Sequence, residues 1–189
     1  RSQGPFATEN YAQGSYAVAL ALRFLTSDTR NTCSWTPSMD VKKNNPDAAD
    51  DDLEFDFAMW RRTSDFGNFN TKLIFGECKT FGEFKVKDSH RMKRLGATFP
   101  GSILVFATLK EELSNTERKI ISKLALWGRE PLGIDNHTKA PVLILTANEL
   151  FEIRQPPYCW NDSEPYKKFK NSNYFHNILE LCDVTQQIY

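Results

Sequence analysis

Seven residues, Leu73-Ile74-Phe75-Gly76-Glu77-Cys78-Lys79, restrict the fold more than any other part of the chain. The run is short and apolar and ends in a carboxylate and an ammonium, which suits a buried strand. Alternate side chains of a strand share a face, so Glu77 and Lys79 project together and Cys78 projects from the other side. Two opposite charges closing an apolar strand are costly to bury unless something compensates them. A metal ion and a phosphate would do so.

The flanking segments extend this strand into a fold. Leu53-Glu54-Phe55-Asp56-Phe57-Ala58-Met59-Trp60 alternates, with Leu53, Phe55 and Phe57 on one expected face and Glu54 and Asp56 on the other. It is expected to pair with the 72–80 strand as a hairpin, across a polar connection from Arg61 to Asn70. Ser102 to Thr108 and Pro141 to Leu145 are continuous apolar runs of the kind found in central strands. Helical signals lie between and around them. Thr8 caps a helix expected over 8–25, with Tyr16, Leu20 and Phe24 in an apolar stripe. Asp88 caps a second, running through Leu95. Ser114 with Glu117, and Thr146 with Glu149, are capping boxes opening two more. A last helix is expected over 173–187, with Phe175, Ile178, Leu179 and Cys182 inward. Thr32 to Trp35 reads as a short strand stopped by Pro37. The sum is an α/β fold in three layers, a mixed central β-sheet flanked by helices on both faces.

With 189 residues, 40% of them hydrophobic, the chain fits a single domain, with a core over 8–150 and an aromatic-rich extension over 151–189. Its 24 basic and 24 acidic residues balance, so a polyanion must be held by a local patch rather than a global field. Cys33, Cys78, Cys159 and Cys182 are scattered without a CxxC pair, which argues against a zinc site and for free thiols in a reducing cytoplasm. No stretch is long and apolar enough to span a bilayer. The opening residues, Arg1 to Phe6, lack a methionine and a signal pattern; a tag remnant and a piece of a longer protein with further domains both stay open.

Chemistry concentrates on the two paired strands. Neighbouring strands lie about 4.8 Å apart, so Asp56 and Glu77 can share a cation. Mg²⁺ takes oxygen ligands and keeps several waters, and Asp56, Glu77 and the backbone carbonyl of Cys78 would supply its protein ligands. Such an ion activates a bound water and clamps a phosphate, and Lys79 would hold or help deprotonate that water and stabilise the developing charge. Asp52 and Glu54 share the expected face of Asp56 and stay as alternative ligands. Lys85, Lys87, His90, Arg91, Lys93 and Arg94 crowd into ten residues just after this strand. His90 and Arg94 share one helix face, as do Lys87 and Arg91, and a basic helix there would bind phosphates without reading sequence. An ordinary solvated face explains these charges equally well. Arg61 and Arg62 are further candidates for phosphate contact, Thr80, Phe81 and Gly82 for the cleft floor, and Trp60 for rim packing or base stacking. His137 and His176 have no nucleophile nearby in sequence, and no Ser/His/Asp order, glycine-rich phosphate loop or HExxH occurs.

Asp56 on one strand and the Glu77-Cys78-Lys79 tripeptide on the next resemble the restriction-endonuclease-like nucleases, the PD-(D/E)xK superfamily. The order of elements over 8–150 is similar too. Phe55 stands where the superfamily's proline precedes the aspartate. The resemblance implies metal-assisted hydrolysis of DNA, with Mg²⁺ as cofactor and Mn²⁺ able to substitute, in restriction or defence against phage. It also implies Asp56, Glu77 and Lys79 as catalytic residues. Some members add a helix-borne acid, a part that Glu9 would take, although the helix dipole explains a first-turn glutamate as well. RNA or branched DNA is a lesser alternative substrate. A homodimer is the simplest way to cut both strands of a duplex. A second reading stays open: a nuclease-like module, catalytically weak or inactive, that docks nucleic acid or a protein partner.

Overall fold

The elements follow in the order α1 (Ser15–Thr26), β1 (Asn31–Val41), β2 (Leu53–Asp65), β3 (Asn68–Lys79), α2 (Val86–Thr98), β4 (Ile103–Thr108), α3 (Asn115–Gly128), β5 (Val142–Leu145), α4 (Ala147–Leu150) and α5 (Ile178–Ile188). The computed structural model describes residues 15–27, 31–41, 53–65, 68–133, 137–152 and 178–189. The expected residues Thr8, Glu9, Asp52, Cys159, Phe175 and His176 lie outside this set.

Five strands form one sheet in the order β1-β2-β3-β4-β5. β1, β2 and β3 run antiparallel in a meander. β4 and β5 then add in parallel to β3. Each parallel step needs a crossover, and α2 and α3 supply them. Their buried residues belong to the same hydrophobic cluster, so both crossovers lie on one face of the sheet. That cluster takes Phe75 from β3, Leu104 and Phe106 from β4, Val142 and Ile144 from β5, and Met92, Leu95, Ile121 and Leu124 from the helices. Alternate residues of the same strands, Ile74, Cys78, Ile103, Val105, Ala107, Leu143 and Leu145, join Ala17, Ala21 and Leu25 of α1 and Ile178, Leu181 and Cys182 of α5 in the other cluster. The expected α/β architecture, a mixed sheet with helices on both faces, is therefore the one observed.

Both capping boxes are present. Ser114 Oγ accepts from the Glu117 N–H at 3.3 Å, and Glu117 Oε2 accepts from the Ser114 N–H at 2.8 Å. Glu117 is fully buried and also accepts from the Phe84 N–H at 3.0 Å and from Lys110 Nζ at 2.6 Å. It thereby ties the start of α3 to the segment leading into α2. The Thr146 N–H donates to Glu149 Oε2 at 2.7 Å, opening the single turn of α4.

Several boundaries differ from expectation. The Arg61–Asn70 connection is mostly strand: β2 continues to Asp65 and β3 starts at Asn68, paired from Asp65–Asn68 onward. Pro37 does not stop β1, which runs through it to Val41. β1 is an edge strand, where a missing N–H is tolerated. Asp88 is not the cap of α2; Lys85 is, and Asp88 is the third helical residue, accepting from the Lys85 N–H at 2.7 Å. Leu53 and Phe55 do not share a face with Phe57. They pack on the α2–α3 side, while Phe57 and Met59 pack on the α1 side. The cause is local: β2 leaves the β3 ladder after the Phe57–Gly76 pair, and the strand rolls at Asp56.

Candidate functional site

The roll in β2 puts Asp56 to use. Beyond the Phe57–Gly76 pair the Cys78 N–H donates to Asp56 Oδ2 at 2.6 Å instead of to a main-chain carbonyl of β2. Asp56, the next residue along β2, lies close enough to Glu77 to feel its charge. Its carboxyl is pushed up to about 6 from 3.8, first by burial and then by the charge of Glu77; the Cys78 N–H, Lys79 and Arg91 oppose this without cancelling it. The Lys79 carbonyl accepts from the Leu109 N–H on the β4 side. By strand alternation the Cys78 carbonyl points the other way, to the β2 side of β3.

Glu77 and Lys79 share a face, as their spacing predicts, and Lys79 Nζ donates to Glu77 Oε1 at 2.6 Å. The Glu77 side chain is 1% exposed and that of Lys79 27%. Burial alone would lower the Lys79 ammonium. The hydrogen bond and charge of Glu77, followed by Asp88 and Asp56, outweigh it and raise the pKa. Lys79 is therefore firmly cationic, suited to stabilising negative charge and not to taking a proton. Cys78 points to the α1 side, and burial, followed by the Asp56 and Glu77 charges, pushes its thiol well up, away from thiolate chemistry.

A second layer of charge comes from α2, which folds back over this end of the sheet. Arg91 donates through one Nη to Glu77 Oε2 at 2.5 Å and to Asp88 Oδ1 at 3.4 Å, and through the other to Glu54 Oε2 at 2.7 Å. Asp88, 1% exposed, also lies 3.7 Å from Lys79 Nζ. Asp88 and Arg91 are three residues apart on the helix and so share a face. That spacing was the available signal for Asp88, whose place in the site sequence reasoning missed. Glu54, a candidate ligand by sequence, is instead held by Arg91. Ionised together, Glu54, Asp56, Glu77 and Asp88 exceed Lys79 and Arg91 by two negative charges.

Asp56, Glu77 and Lys79 thus converge at the C-terminal end of β3, the end at which parallel sheets usually bind ligands. Among the described residues, no three or more His, Cys, Asp and Glu side chains form a group able to hold a metal. The donor set still suits a hard ion that retains waters: two carboxylates on adjoining strands and a carbonyl on the β2 side of β3. Of the basic run, Arg91 is the residue among those described with an ion pair to Glu77. Lys85, Lys87 and His90 are exposed on α2, and Arg94 is half-buried. Arg61 is not brought to the site. It is 5% exposed and lies on the α1 side beside Cys33, with Phe57 and Met59. Trp60 is 52% exposed in the middle of β2, paired to Ser34 and Leu73. Cys33, Cys78 and Cys182 are free thiols. No described helix is long and apolar enough to cross a membrane.

Comparison with protein-family models, with curated proteins and with solved structures gives no match to this chain.

Proposed function

We propose that the chain is a metal-dependent nuclease of the restriction-endonuclease-like, PD-(D/E)xK type, hydrolysing DNA phosphodiester bonds. The observation that carries this reading is the pair Asp56 and Glu77 on adjoining strands, in a cluster whose carboxylates outnumber its cations, with the Lys79 ammonium beside them. Two carboxylates this close, with a pKa driven upward, ask for a divalent cation. Asp56, Glu77 and the Cys78 carbonyl would hold Mg²⁺, or Mn²⁺ in its place, and the ion would supply the Lewis acidity that activates water and phosphate. Lys79 contributes a fixed ammonium where charge develops on the phosphate, a role that preorganised donors fill with little reorganisation. The exposed basic residues Lys85, Lys87 and His90 of α2 provide a sequence-independent hold on the DNA backbone. Service in restriction or phage defence follows from the resemblance alone, and a reducing cytoplasm from the scattered cysteines.

Supercoiled plasmid incubated with Mg²⁺ tests the proposal. Wild type should nick or linearise it, EDTA should stop the reaction, and Glu77→Gln and Lys79→Met should each lower the rate at least about a hundredfold. Plasmid left intact by wild type under Mg²⁺ and Mn²⁺ would favour the docking-module reading.

A further inference from the structure

Glu77 has no vacant oxygen. Lys79 holds Oε1 at 2.6 Å and Arg91 holds Oε2 at 2.5 Å. Each oxygen keeps a lone pair, but a cation ligated by Glu77 has to compete with both of these positive charges for it. We propose that Arg91 is the resident counter-ion of the site, yielding Glu77 to an entering divalent cation and turning its guanidinium to a phosphate of the nucleic-acid backbone. The inference rests on the nuclease reading and adds to it a coupling between metal and substrate.

Three observations favour Arg91 over Lys79 as the group that moves. Lys79 leaves β3 two residues from Glu77 and on the same face, so it is tied to the strand that carries the carboxylate. Arg91 comes from another element, α2, so it can leave Glu77 without moving the strand that carries that carboxylate. It also has a second anchor in Glu54, which is 53% exposed and would keep the side chain near the site after Glu77 is lost. The third observation is an unmet hydrogen bond. Arg91 Nε is buried without an acceptor, and the buried hydroxyl Oγ1 of Thr80 next to Lys79 also lacks a partner. A buried donor left unpaired is costly, and a guanidinium satisfied by carboxylates at its Nη atoms alone is not at its best. A phosphate takes Nε and one Nη together in the forked geometry that arginine favours. The resting contacts therefore hold Arg91 as a placeholder for positive charge, with its best donor arrangement unused.

Competition for Glu77 makes a sign prediction that a purely structural arginine does not. Mn²⁺ binding to the whole chain, followed by calorimetry and electron paramagnetic resonance without DNA, should tighten about tenfold in Arg91→Met. Binding of a duplex oligonucleotide in Ca²⁺ should weaken by about the same factor in that variant. Arg91→Lys retains the charge but cannot bridge two carboxylates. It should also tighten Mn²⁺, and it takes over the test should Arg91→Met fail to fold. Mn²⁺ affinity that is unchanged or weaker in a folded variant overturns the inference, even where Glu77→Gln abolishes Mn²⁺ binding and so sustains the nuclease reading. Absence of Mn²⁺ binding in wild type defeats both.

Discussion

Asp56 is the residue at which the energetic cost of the site is most exposed. A carboxyl whose folded pKa lies above its unfolded value holds its proton more tightly in the folded state, so stability falls as pH rises through the window between the two. For Asp56 that window runs from 3.8 to about 6. Across it the metal-free protein should lose on the order of 2–3 kcal/mol that Asp56→Asn does not lose. Urea unfolding at a series of pH values, wild type against variant, measures the difference directly, and parallel profiles would remove the claim. A divalent cation works in the opposite direction. It favours the ionised carboxylate, so saturating Mg²⁺ should flatten the wild-type profile and leave Asp56→Asn unmoved. Lys79 adds no such limb near neutrality, because its raised pKa keeps it charged there.

Among the elements, β3 carries the tightest constraint. A Cβ on Gly76 would lie 1.9 Å from the Phe57 ring, which is completely buried. Gly76 precedes Glu77 and Phe57 follows Asp56, so the packing that seats the ring also bears on where both carboxylates are placed. Gly76→Ala should therefore cost about 3 kcal/mol in thermal or chemical unfolding. It should also abolish Mn²⁺ binding even where the protein is still folded. Wild-type stability in this variant would mean that the ring has room to move. The same element shows what sequence can and cannot reveal. Capping boxes at Ser114 and Thr146 and the apolar runs of β3, β4 and β5 were legible because residues within a few positions determine them. Pro37 inside β1 and the change of face between Phe55 and Phe57 were not. The first depends on β1 being an edge, the second on where β2 parts from β3, and neither partner is visible along the chain. Arg61 was misplaced by the same gap, since the face it occupies is settled only once the register is known.

For the whole molecule, strand alternation made the shared face of Glu77 and Lys79 readable and the hairpin brought Asp56 to the neighbouring strand, while the turn that β2 makes there was not visible. The contribution of α2 was less readable: Asp88 and Arg91 enter the site only after the β3–α2–β4 crossover folds the helix back. The far border of the sheet has a consequence of its own. α5 lies along β5 with Thr185 Oγ1 accepting from the Ile144 N–H at 3.2 Å and Gln186 donating to the Val142 carbonyl. The helix thus occupies main-chain groups that a sixth strand would otherwise take. A chain ended at Asn177 should polymerise through the bared strand, giving concentration-dependent growth in sedimentation velocity, whereas one that stays monomeric would mean that another segment closes the gap. Among the described residues β1 is the edge that α5 leaves open, so an assembly that stitches two such sheets into a continuous ribbon would begin there, its polarity decided by the position of α5.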